Sequence, residues 1–198
     1  MSQASRYHPA LVALHWLLAV LIVAALALGA LVMARMSNSD PMKIEALRSH
    51  MTGAALILAL MLARLALRAG TAHPPPATAG HAWLDRLAWG SHRLLYVLVF
   101  AQVASGVALA LDAGLPEIVF AGRGALPDDF WAFTPRAFHY AFSRALMALI
   151  GLHVAAALYH ALIRRDGLLR RMGFGRRFAA REDATAQRLD PQLSEIRR

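Results

Sequence analysis

The sequence predicts an all-α integral membrane protein: a four-helix bundle with both termini in the cytoplasm. Three observations carry that expectation. Of 198 residues, 58% are hydrophobic and only 17% charged; the mean hydropathy is +0.45; and the charge gathers between four apolar stretches, each long enough for the roughly 20 helical residues that a hydrocarbon core requires. The composition excludes a disordered chain, which is poor in apolar residues, and a disulfide-stapled secreted domain. With no cysteine, iron–sulfur clusters, thiolate zinc sites and covalent c-type haem are excluded as well. The net charge of +9 calls for no nucleic acid, because basic residues flanking apolar spans face membrane lipid.

The first span, 10–34, runs from Ala10 to Ala34 without a charge. A signal peptide has an apolar run of only about 7–15 residues and no use for His15 and Trp16, so this is a retained span. The second, 44–67, has Arg48 near its start and Arg64 and Arg68 at its end. The connector 69–87 contains His73-Pro74-Pro75-Pro76, which is stiff and extended and cannot be helix. The third span, 88–111, begins around Gly90 and ends at Asp112. The loop 112–137 has Gly and Pro at both ends, and its Phe130, Trp131 and Phe133 suit packing on the outer membrane face. The fourth span, 138–163, follows Pro135 and stops at Arg164 and Arg165.

Lys and Arg beside the spans set the orientation. One side has Arg6, Arg64, Arg68, Arg86, Arg93 and ten further Arg from Arg164 onward; the other has Arg35, Lys43, Arg48, Arg123 and Arg136. Residues 1–173 thus form one four-span domain, followed by a basic cytoplasmic tail, 174–198. No internal repeat or second domain is visible.

A polar side chain inside lipid is costly without a partner. His15 lies in the first span, His50 in the second, and His139 and His153 in the fourth, with His92 and His160 near the cytoplasmic ends. Each could bond a neighbouring carbonyl or serine. Spacing adds a second reading: His139 and His153 are 14 residues apart, which places them within about 40° of one helix face and about 21 Å apart along it. That separation suits two stacked macrocycles, and a haem iron takes an imidazole on each side of its plane. Counted from the outer face, His15 lies about 30 Å deep and His50 about 12 Å deep. Their difference matches the step from His139 to His153 better than the step of about 31 Å from His139 to His160. His50 therefore pairs with His139 and His15 with His153, His160 being the rival of His153.

Gly53, Gly151 and Ala155 to Ala157 are small residues beside these histidines, where a planar cofactor needs room and where bare helices also pack. Arg144, inside the fourth span, is either a propionate counter-ion or a snorkelling cation. Arg48 has the same two readings, as a propionate partner or as a cation at a helix start.

Leu14-His15-Trp16, Ser49-His50 with Gly53, Arg64 and Arg68 before the prolines, and Gly151 to His160 running into Arg165-Asp166-Gly167-Leu168-Leu169-Arg170-Arg171-Met172 resemble the bacterial cytochrome b561 family over roughly residues 7 to 173. The resemblance implies two b haems between the helices, with His15, His50, His139 and His153 as axial iron ligands. It further implies a multi-pass protein of the bacterial inner membrane, exchanging electrons with ubiquinone and, as in some members, taking them from superoxide on the periplasmic side. Two bis-imidazole haems have no open coordination position, so they pass single electrons. The outer segments 34–49 and 112–137 carry five basic and six acidic residues, so an anion collector needs a local cluster of Arg48, Arg123, Arg136 and Arg144.

The quinone candidates are His160, Tyr159, His92 and Trp16, because quinone reduction takes up protons and His delivers them near neutral pH. His92 and His160 could equally be solvated at the interface or bonded to a propionate. A second reading is a membrane-anchor subunit relaying electrons from a partner dehydrogenase. A third, a transporter using His for a transition metal, explains the 14-residue spacing only by chance. No P-loop, nucleophile elbow or His-Glu-x-x-His motif supports hydrolytic chemistry.

Overall fold

The structure is a computed structural model that describes residues 7–72, 74 and 81–173, the side chains of Arg170 and Arg171 excepted. His73, Pro75 and Pro76 of the connector and the basic tail 174–198 lie outside the described residues, as does Arg6. Among the described residues all regular structure is helical. Four helices are long and apolar enough to cross a membrane: Pro9–Arg35, Met42–Gly70, Ala82–Asp112 and Thr134–Arg164.

Helix α1 (Pro9–Ala27) starts with Pro in its first turn, where its missing N–H costs nothing, and the His8 side chain accepts from the Ala10 amide at 3.3 Å. It continues through a π turn, Leu28–Val32, and a 3-10 turn, Met33–Arg35. Helix α2 is Met42–Gly70. The buried ammonium of Lys43 donates to the carbonyls of Met33 (2.5 Å) and Met36 (3.1 Å), satisfying acceptors that the end of the first span leaves open.

Helix α3 (Ala82–Asp112) begins about two turns before the Gly90 start expected from sequence. One helical Gly costs only about 1 kcal/mol. Asp85 in the first turn complements the helix dipole, and the Arg93 guanidinium sits 3.5 Å over the Trp89 ring across Gly90.

The loop expected over 112–137 contains a short helix, α4 (Leu115–Val119), entered through Gly114 at φ +65°. Leu115, Ile118 and Val119 are buried against Leu47 and Ala110, with Phe130 packed on that cluster. The segment therefore plugs one end of the bundle. Trp131 does stay exposed, with the Arg136 guanidinium 4.8 Å above its ring. Asn38 donates to the carbonyls of Pro127 (2.9 Å) and Asp128 (3.1 Å), tying this plug to the α1–α2 connection. Helix α5 (Thr134–Tyr159) starts with Pro135 in its first turn and runs into a π turn, His160–Arg164.

The helices pack as two pairs, α1 along α2 and α3 along α5. The pairs meet at a buried layer of Leu18, Ile57, Met61, Val99 and Leu146, one or two residues from each spanning helix. Leu146 is seven residues from both His139 and His153, so the layer sits midway between the two histidine levels. One end of the bundle is closed by α4; the other, the terminal end, holds the start of α1 and the last turns of α5.

At the terminal end Arg165 (φ 51°) and Gly167 (φ 72°) turn the chain back. The Trp16 indole N–H donates to the Met172 carbonyl at 2.9 Å, fastening the 3-10 turn Leu168–Met172 to α1. Asp166 secures the turn from the other side: its carboxyl is held below its ordinary value by the hydrogen bond from His160 (2.5 Å) and then by the Leu168 amide (3.1 Å). A carboxyl lowered in the folded state stabilises above its unfolded range and loses that contribution as pH falls through the lowered value. Limited proteolysis from neutral to acid pH is therefore expected to show residues 160–173 becoming cleavable in acid. In Asp166→Asn they are equally cleavable throughout; the same pH response in both proteins would contradict this role.

Candidate functional site

The fold brings the four intraspan histidines together as two pairs. His50 of α2 faces His139 of α5 with ring centroids 6.2 Å apart and planes at 81°. His15 of α1 faces His153 of α5 at 6.4 Å and 68°. In both, one ring comes from the α1–α2 pair of helices and the other from α5. A metal–imidazole bond is about 2 Å, so two rings opposed across one metal have centroids roughly 6 Å apart. Among the described residues no group of three or more His, Asp or Glu is arranged to hold a metal. Two imidazoles alone leave an equatorial plane to be filled by the cofactor itself, which is what a haem does and a protein-only zinc site does not.

The surroundings of the α4-end pair fit such a group. His50 Nδ1 is buried without a hydrogen-bond partner among the described atoms. Gly29, in the π turn that ends α1, lies under His50, and a Cβ there would come within 3.6 Å of Cε1. His139 Nδ1 lies 3.1 Å from the Gln102 carbonyl and 3.2 Å from Ser105 Oγ. Orienting bonds to the non-ligating nitrogen are what a metal-bound imidazole needs. By contrast, a Cβ at Gly53 or Gly151 would meet nothing within 4 Å, so those glycines press on neither ring.

At the terminal end a third imidazole joins the pair. His92 of α3 has its centroid 5.3 Å from that of His153, and its Nδ1–H donates to the Ala88 carbonyl at 2.6 Å. The Trp16 ring stands edge-on to His15 at 5.4 Å. His160 is engaged elsewhere, bonded to Asp166 with Tyr159 edge-on at 6.0 Å, while it is His153 that faces His15.

Arg48 and Arg144 take other positions than against the histidine rings. Arg48 donates to the Val119 carbonyl at 3.1 and 2.7 Å and pairs with Glu45, locking α4 to α2. Arg144 is exposed, its guanidinium 5.1 Å over the Tyr140 ring. Arg123 is paired with Glu117 at 2.9 Å.

Sequence reasoning missed four residues. Arg64, read only as the end of a span, is buried and donates to the Leu11 carbonyl (2.5 Å) and the Tyr96 hydroxyl (2.9 Å), one turn of α1 from His15. Gln102, Ser105 and Gly106 of α3 surround His139. Their signal was present: a Gln and a Ser three residues apart in an otherwise apolar run need partners.

A membrane bundle with stacked imidazole pairs and no thiolate belongs to the class of helical electron-transfer cytochromes. Comparison with known proteins gives the particular family: the model for prokaryotic cytochrome b561 matches residues 6–175, and the chain belongs to that family. It is also similar to cytochrome b561 homolog 2 of Escherichia coli (strain K12), at 28% identity over 176 residues, covering 84% of this chain and 90% of that protein. The family makes this chain a membrane electron-transfer cytochrome.

Proposed function

We propose that the protein is a di-haem cytochrome b of the bacterial inner membrane, carrying single electrons between a periplasmic donor at the α4 end and ubiquinone at the cytoplasmic, terminal end. The observation that carries this reading is the stacking of His50–His139 and His15–His153, whose α5 members are 14 residues or about 21 Å apart. A haem held between two imidazoles supplies a one-electron carrier with no open position. The concentration of Arg at the terminal end supports its cytoplasmic placement.

The chain's own residues do the rest. His15, His50, His139 and His153 would hold the two haem irons, and the apolar layer around Leu146 would lie between them. At the terminal end His160, bonded to Asp166, is the group to hold and deliver a proton to a reducing quinone, with Tyr159, His92 and Trp16 forming its surroundings.

Superoxide is the proposed donor in the first reading. The pairing of Arg48 with Glu45 and Arg123 with Glu117 neutralises half of the cluster that would attract an anion, and this favours a second reading in which a partner dehydrogenase supplies the electrons. One set of spectra separates them. The purified protein is expected to show about two b-type haems per chain on dithionite reduction. Reduction by superoxide and reoxidation by ubiquinone support the first reading; haem that ignores superoxide supports the relay; a colourless folded protein overturns both.

A further inference from the structure

Helix α3 turns three residues onto the His139 imidazole, and two of them, Gln102 and Ser105, bear on its proton. The Gln102 carbonyl and Ser105 Oγ lie 3.1 and 3.2 Å from Nδ1, and the Ser105 hydroxyl donates its own proton to that carbonyl at 2.9 Å. With that proton committed, both oxygens face Nδ1 as acceptors, so Nδ1 carries the hydrogen. On the opposite side of the ring the Gln102 amide nitrogen is 3.1 Å from Nε2. In the neutral ring a hydrogen on Nδ1 leaves Nε2 bare, the tautomer that offers Nε2 to a metal.

Rotation is restricted as well. A Cβ at Gly106 would lie 3.0 Å from His139 Cε1 and 3.2 Å from Nδ1, so a larger residue there would make the ring shift by a few tenths of an ångström. His50 has no counterpart: its Nδ1 is buried without a partner among the described atoms. The two ligands of one pair are therefore held unequally. Iron and the Gln102 amide compete for Nε2, so the lasting contributions of α3 are the Gln102 carbonyl, the Ser105 hydroxyl and the space at Gly106.

We propose that Gln102, Ser105 and Gly106 form a positioning cradle that fixes the tautomer and rotation of His139 and thereby sets the reduction potential of the haem held between His50 and His139. This rests on the reading of His139 as an iron ligand. A bond from Nδ1–H to an acceptor pushes electron density onto Nε2, strengthens it as a donor to ferric iron and lowers the potential. Weakening the bond raises it.

The test uses the haem-loaded, purified protein and the variants Ser105→Ala, Ser105→Thr and Gly106→Ala, read by haem-to-chain ratio, potentiometric titration and electron paramagnetic resonance of the ferric haems. Ser105→Ala is expected to keep both haems and to move one midpoint to higher potential, the other staying in place. Ser105→Thr, which keeps the hydroxyl, stays at the native potential, and Gly106→Ala shifts the largest g value of that same haem. The haem concerned is identified as the one missing from His139→Ala. Unchanged potentials in Ser105→Ala, or an equal shift in Ser105→Thr, overturn the cradle while leaving the ligand assignment intact. A shift confined to the haem that survives in His139→Ala overturns the ligand assignment and the cradle with it.

Discussion

His139→Ala is expected to lose one of two haems and to keep the other with an unchanged spectrum, and His50→Ala is expected to lose the same one. In the proposed reading each imidazole would supply one axial bond from a different helix, the two rings facing each other at 6.2 Å. The surviving pair is insulated from the change: His153 is 14 residues further along α5, beyond Leu146. Combining the two substitutions should remove nothing more than either alone, since both act on one iron. The check is the haem-to-chain ratio with reduced-minus-oxidised spectra. Loss of both haems, or retention of both, would show that the pairs are not separate sites. The reciprocal substitution His153→Ala removes the other haem and completes the assignment.

The second large effect falls on stability. Leu146 is 1% exposed and belongs to one buried cluster with Leu18, Ile57, Met61 and Val99, to which all four spanning helices contribute. Leu146→Ala takes apolar packing out of that layer, and a buried Leu→Ala change costs about 2–5 kcal/mol. The thermal unfolding midpoint in detergent is expected to fall, with both haems still bound at room temperature and both potentials unchanged. Leu146→Met, nearly equal in volume, should cost less than about 1.5 kcal/mol. An Ala variant as stable as the native protein would show that the two helix pairs are held together elsewhere.

The four spans were legible because they obey a simple rule: a predominantly apolar run of about 20 residues has few alternatives to a membrane helix. The juxtaposition of His15 with His153 and of His50 with His139 was legible for a related reason, since a rise of about 1.5 Å per residue converts sequence position into depth. What was not legible depends on contacts between distant segments. Nothing local marks Leu115–Val119 as a plug, because its burial comes from Leu47 and Ala110 on other helices. Arg144 was read as a propionate counter-ion or a snorkelling cation, and its stacking on Tyr140, one turn earlier in α5, depends on side-chain geometry that the sequence does not display. Arg64 looked like a boundary marker and is buried, because Leu11 and Tyr96 approach it from two other helices. Gln102 and Ser105 acquire meaning only when α3 is laid against α5.

The layer around Leu146 also decides where electrical work is done. Its five core side chains carry no charge and no hydrogen-bonding N or O atom, so the region between the histidine pairs has a low dielectric constant and takes up the voltage across the bilayer. An electron passing from one pair to the other crosses that field, and a full traverse is worth about 2.3 kcal/mol for each 100 mV. In the proposed reading, electron transfer between the two pairs would therefore be a step whose rate responds to membrane voltage.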